Sequence, residues 1–118
     1  MDNYSHALGN VFFALGDPTR RAIVQRLADG ASAVSELASP FAMALPSFMK
    51  HLRVLERAGL IRSSKTGRTR TCMLKQGALD GAEQWLAQQR MIWEARADRM
   101  TSYVEQLHQQ RKKNNGYE

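Results

Sequence analysis

Apolar residues recur along the first half of this chain at intervals of three and four, the period of a helix buried on one face. Tyr4, Ala7, Leu8, Val11, Phe12 and Leu15 predict a first helix over about residues 3–15, stopped by Gly16. Asp17-Pro18 restarts a helix, with Asp as N-cap and Pro at the first helical position, where its missing N–H is not needed. Ala22, Ile23, Leu27 and Ala28 supply the buried face of this second helix, and Gly30 closes it. Residues 33–39 predict a short third helix with Val34, Leu37 and Ala38 inward and Ser35 and Glu36 outward. Pro40 ends it, and residues 41–43 turn the chain into a fourth helix.

That fourth helix carries a narrow apolar stripe, Phe48, Leu52 and Leu55, while Ser47, Lys50, Arg53 and Arg57 fall away from it. Gly59 is placed as its left-handed C-cap. Two β-prone runs follow around a Lys65-Thr66-Gly67-Arg68 tip, which predicts a hairpin. A basic helix followed by a basic hairpin is the layout of a winged helix, whose recognition helix enters the major groove of DNA while the wing flanks it.

The last third differs in kind. From about residue 78 to 110 there is no Pro, and Leu79, Leu86, Trp93, Met100 and Leu107 are spaced by seven. Ala82, Gln89, Arg96 and Tyr103 form a second row, with Trp85 and Ile92 widening the seam. Such a helix spans roughly 45–50 Å, more than the ~35 Å diameter of a compact domain of this size. A second copy of the chain is the expected cover for the stripe, with the first helix joining the interface through Tyr4, Leu8, Val11 and Phe12. On the last helix the interface residues are Leu86, Trp93, Met100, Tyr103 and Leu107. The predicted architecture is mainly α with a small β-hairpin, in the order α-α-α-α-β-β-α. One domain occupies residues 1–110, and 111–118 are expected to form a disordered basic tail.

Charge sharpens this picture. The net charge is +6, which implies a polyanionic partner. Its location favours nucleic acid over a membrane surface, because Lys50 to Lys75 holds eight Lys or Arg and one acid, Glu56. No run reaches the ~18–20 apolar residues of a membrane span, and the N-terminus lacks the pattern of a secretory signal. A single cysteine forms no internal disulfide, in keeping with a cytoplasmic location.

Several linked blocks resemble the ArsR (arsenic-repressor) family of winged-helix repressors. Leu15-Gly-Asp-Pro-Thr-Arg-Arg-Ala-Ile-Val-Gln-Arg-Leu27 resembles the family's second helix, and Val34-Ser-Glu-Leu-Ala38 its support helix. Lys50-His-Leu-Arg-Val-Leu-Glu-Arg-Ala-Gly-Leu-Ile61 resembles the recognition helix and its exit strand, and Gly67-Arg68 the wing. The resemblance implies a homodimer that binds a palindromic operator and leaves it when a signal arrives. Three positions depart from the pattern. Ala44 and Leu45 stand where a capping Ser and a polar residue are usual, and Met49 stands where a small hydroxyl residue is common. Pro46 disfavours helical angles at Leu45, so the recognition helix is expected to start one residue late, with Ser47 in its first turn.

The residues assigned to DNA are Ser47 and Lys50 at base edges, Met49 on a thymine methyl, and Arg53, Arg57, Lys65, Arg68 and Arg70 at phosphates. Thr66 and Gly67 shape the tip, and His51 either donates to a phosphate or packs. Family metal sites use the support helix or the last helix; here those positions offer Ala33, Ser35 and Ala38, or Asp98 and His108, which do not converge. No metal and no cofactor is expected, and the chain is placed in the family's non-metal branch, with a small molecule or protein as its unidentified effector. His6, His51 and His108 are dispersed and no phosphate-cradling glycine loop is present, so an enzyme is not expected. Cys72 reads as a small buried hydrophobe. The alternative reading is a winged-helix protein-interaction module without DNA binding; a ligand-binding sensor with a pocket under the Trp-rich helix is compatible with DNA binding.

Overall fold

The computed structural model describes the backbone of residues 2–115 and the side chains of residues 6–113. The order is α1 (Asp2–Leu15), α2 (Pro18–Leu27), β1 (Ser32–Ala33), α3 (Val34–Ala38), α4 (Leu45–Arg57), β2 (Ile61–Thr66), β3 (Thr69–Leu74) and α5 (Asp80–Asn115). The winged helix-turn-helix is as expected, with one addition. Ser32 and Ala33 pair antiparallel with Cys72 and Thr71, so the hairpin becomes a three-stranded sheet in the order β1-β3-β2. Two residues are too few to show a strand period; the pairing comes from α2 delivering them beside β3.

Local chemistry sets most of the helix ends. Asp17, in an extended conformation, caps α2 by accepting the Arg20 N–H at 3.1 Å, and Pro18 occupies the first turn. At the end of α4, Gly59 takes φ +74°. Its N–H reaches the Glu56 carbonyl, and the Leu60 N–H reaches the Leu55 carbonyl, each at 3.0 Å. These two bonds form a Schellman cap, which turns Leu60 and Ile61 back into the core. Gly67 (φ +60°) is the first residue of the two-residue loop joining β2 and β3, the position where a hairpin of this hand needs a positive φ.

The start of α4 departs from expectation. Leu45 is already helical, with Ala44 as an N-cap that makes no side-chain hydrogen bond. The Phe48 N–H donates to the Ala44 carbonyl at 3.1 Å. Pro46 is tolerated because first-turn N–H groups have no partner inside the helix, and Phe48, anchored in the core, holds the first turn against the bias that proline places on Leu45.

Phe48, Leu52 and Leu55 are all but fully buried, together with Ile23, Leu27, Leu37, Leu60, Ile61 and Cys72. Phe41 closes over Phe48, ring centroids 5.3 Å apart. In α2 the inward residues are Ile23 and Leu27, with Val24 half-buried; Ala22 and Ala28 face solvent. The stripe is narrower than expected because a ten-residue helix meets the core along one edge only. Val11 is 8% exposed and belongs to this core rather than to an interface, and Leu8 packs partly against it. Phe12, 36% exposed, stays at the surface. Tyr4 lies outside the described side chains.

The chain divides into two compact units, Met1–Ala82 and Glu83–Glu118, so the boundary falls within α5 rather than at residue 110. Helix also continues through residues 111–115, where a disordered tail was expected. Arg111, Lys112 and Lys113 are competent helix formers, and each residue added to an existing helix needs only its own i−4 hydrogen bond. In the second unit Leu86, Trp93, Met100, Tyr103 and Leu107 are all exposed. Among the described residues, no helix is long and apolar enough to cross a membrane.

The Asp17 cap carries a pH-dependent prediction. The Arg20 amide hydrogen bond chiefly holds its carboxyl below the ordinary value, the charges of His51 and Arg20 assist, and partial burial opposes. A depressed folded pKa means stability that is present above the unfolded value near ~4 and lost as pH falls through the folded value. Asp17→Ala is therefore expected to cost about 0.5–2 kcal/mol at pH 7, a gap that closes on acidification. Urea unfolding at pH 7 and near pH 3 checks it; an equal gap at both would contradict the carboxylate's role.

Candidate nucleic-acid interface

The basic surface is built on α4 and the β2–β3 hairpin. Ser47, Lys50, Arg53 and Arg57 are exposed on α4, and Lys65, Thr66, Gly67, Arg68 and Arg70 are exposed on the hairpin. Arg62 and Lys75, not singled out from sequence, are exposed as well. Arg62 follows buried Ile61, and strand alternation is the signal that turns it outward. Glu56, the acid of this segment, is half-buried and accepts a hydrogen bond from the Ser63 hydroxyl at 3.0 Å. It ties α4 to the hairpin instead of neutralising the face.

Two features of this surface work against stability in isolation. Lys65 and Arg70 stand directly opposite each other in the β2–β3 register, where like charges repel. Among the described residues, no Lys or Arg of the face has a carboxylate within 4 Å, and the one contact of this kind is His51 with Asp17. A face of this kind gains most from an external polyanion.

Behind it, Arg20 fixes the recognition helix to the scaffold. Its Nε donates to the Ala14 carbonyl at 2.7 Å and its Nη2 to the Phe13 carbonyl at 3.0 Å, while the guanidinium lies 5.1 Å from the Phe13 ring centroid. Arg21 adds a bond to the Leu15 carbonyl at 2.8 Å. The open carbonyls at the end of α1 are thereby filled from α2. The remaining Arg20 nitrogen meets His51 Nδ1 at 3.2 Å. Because arginine only donates, the neutral ring accepts there and carries its proton on Nε2. A protonated ring would present the same nitrogen to Asp17 Oδ2, 3.8 Å away. His51 is thus a half-buried, hydrogen-bonded link between α2 and α4. The sequence signal for this clamp was the Arg pair just after Asp-Pro, within reach of the preceding helix end.

Met49 is half-buried against the core, one flank round from Phe48, so the thymine-methyl contact given to it is not favoured by its position. Leu45, one turn earlier, is 56% exposed. It lines a cleft of about 270 Å³ with Ala33, Val34, Ser35 and the wing residues Arg68, Thr69 and Arg70. Cys72 is fully buried; burial and the neighbouring Glu56 push its thiol pKa up against an opposing effect of Arg70. That is the environment of an inert packing group. Among the described residues, no three His, Cys, Asp or Glu side chains converge as a metal site.

Residues 15–64 match the family model for a helix-turn-helix domain. The solved ArsR family transcriptional regulator RHA00566 is 52% identical, with a TM-score of 0.73 over 76% of this chain and 93% of that one. This chain belongs to the ArsR family of transcriptional regulators. The transcriptional repressor SdpR of Bacillus subtilis is 32% identical over 67% of this chain and 88% of its own length. The HTH-type transcriptional regulator Rv2034 of Mycobacterium tuberculosis is 46% identical over 61 residues, 52% of this chain, which spans 57% of that relative. The helix-turn-helix match in this ArsR-family chain takes in α2, α3, α4 and the first residues of β2. The wing tip and all of α5 lie outside it.

Proposed function

We propose that this ArsR-family regulator acts as a homodimeric repressor, placing two copies of α4 in successive major grooves of a palindromic operator, roughly 34–36 Å apart. The observation that carries this reading is the uncompensated cationic face, above all the opposed Lys65–Arg70 pair on the wing. Lys50 and Ser47 are assigned to base edges, and Arg53, Arg57, Lys65, Arg68 and Arg70 to phosphates. Thr66 and Gly67 set the shape of the tip. Repression, rather than activation, follows the relative SdpR.

The partner for dimerisation is the exposed stripe of α5, on which Leu86, Trp93, Met100 and Leu107 recur every seven residues and drift by only ~20° per heptad. Tyr103 borders it. Phe12, and Tyr4 and Leu8 on the same helix, are the proposed contribution of α1. Release from DNA is assigned to an effector that is a small molecule or a protein.

Selection from random duplexes, followed by binding at several salt concentrations, tests the reading. Lys50→Ala is expected to weaken the selected site by about 1–3 kcal/mol and relax its sequence. The double variant Arg68→Ala with Arg70→Ala is expected to reduce the salt slope by about two and to weaken all duplexes alike. No recovered duplex, or a flat salt response, would favour a protein-interaction module instead.

A further inference from the structure

The tip of the recognition helix carries an apolar side chain that the core does not use. Base edges are read by the N-terminal residues of a recognition helix, which in α4 are Leu45, Pro46 and Ser47. Pro46 has no N–H and little reach, and Ser47 carries a short hydroxyl. Leu45 is the large one, and it is 56% exposed. Met49 lies one turn later on the same flank and is half-buried against the core, so the flank passes from core to open surface between the two. Leu45 is its outermost group.

Its surroundings say what is expected to cover it. Leu45 borders the cleft whose other side is the wing segment Arg68, Thr69 and Arg70. Both arginines are exposed and have no carboxylate within 4 Å among the described residues. A protein partner's apolar side chain or a lipid tail would have to sit against two unpaired guanidinium groups, whereas a duplex brings apolar base edges and anionic phosphates together. The major groove offers an aliphatic side chain one group to pack against. Guanine, adenine and cytosine edges present hydrogen-bond donors and acceptors, and thymine adds a C5-methyl. Leucine neither donates nor accepts, so opposite the other three bases it would leave polar edges dehydrated.

We propose that Leu45 reads the C5-methyl of a pyrimidine in each half-site, thymine or 5-methylcytosine, and so sets a sequence preference at that position. This rests on the DNA-binding reading above and assigns one contact within it. Leu45 is a specificity-determining residue here, and Met49 supports it from behind.

The experiment uses the full chain and the duplex recovered by selection. Each thymine is replaced in turn by deoxyuridine, which removes the methyl and keeps every hydrogen-bonding group. At one thymine per half-site the wild-type Kd is expected to rise about fourfold, the effect of one buried methyl, and about sixteenfold when both half-sites are changed. Cytosine and 5-methylcytosine at that position should differ in the same direction by a similar factor. In Leu45→Ala, with an unchanged thermal midpoint, thymine and uracil duplexes should bind equally. A wild-type protein indifferent to uracil at every position would overturn the proposal while leaving DNA binding intact. So would a methyl effect that survives in Leu45→Ala, because another residue would then be reading the methyl. Failure to recover any duplex would overturn the broader reading and this contact with it.

Discussion

The double variant Leu86→Ala with Trp93→Ala is expected to sediment as a monomer at micromolar concentration and to bind the proposed operator at least ~100-fold more weakly than wild type. Both side chains belong to the stripe of α5, at 50% and 66% exposure. Burying a large apolar side chain fully is worth about 1.5–3 kcal/mol. A twofold interface removes each one twice. With half or more of each side chain still available for burial, the loss is on the order of 3–7 kcal/mol, enough to dissociate a dimer of ordinary strength. A lone protomer has one recognition helix and half the phosphate contacts, so its salt slope should fall to about half. Sedimentation velocity on both proteins decides it. Identical sedimentation of variant and wild type would remove the α5 seam from the proposal.

Phe48→Ala is the second large effect and acts on the fold itself. Phe48 is 1% exposed, is the largest fully buried side chain among the described residues and packs against the tilted ring of Phe41. Truncating a buried Phe costs about 3–5 kcal/mol in lost transfer energy and cavity, out of a total of roughly 5–15 for a typical domain. The urea midpoint should fall steeply with little change in slope, and Phe48→Leu should recover much of the loss. Leu45→Ala, three residues earlier, provides the contrast: its exposure should keep the stability change within about 0.5 kcal/mol. Comparable destabilisation by the two would contradict the division between core and surface along α4.

That division was legible in the order of residues. Phe48, Leu52 and Leu55 recur at a helical period, and no other segment would bury all three while leaving Lys50, Arg53 and Arg57 in water. The Asp17-Pro18 start and the Gly59 stop were equally plain, because a side-chain cap and a positive φ are local demands that only a few residue types meet. The basic face followed from the same local logic: strand alternation and helix angle turn charges outward whatever the rest of the chain does.

What the sequence determined by itself was therefore the five helices and the hairpin, the ends set by Asp17-Pro18 and Gly59, and the sign of the exposed surface. Each depends on interactions within a few residues. Tertiary structure decided the rest. It buried Val11 in the core rather than leaving it for a partner, paired Ser32 and Ala33 with β3, and joined Arg20 to His51 across 31 positions. It also turned Glu56 onto Ser63 and exposed Leu45 while half-covering Met49. An apolar stripe looks the same in sequence whether its cover is another helix, a second copy or a base edge. The choice is made by which surfaces the packed elements bring within contact distance.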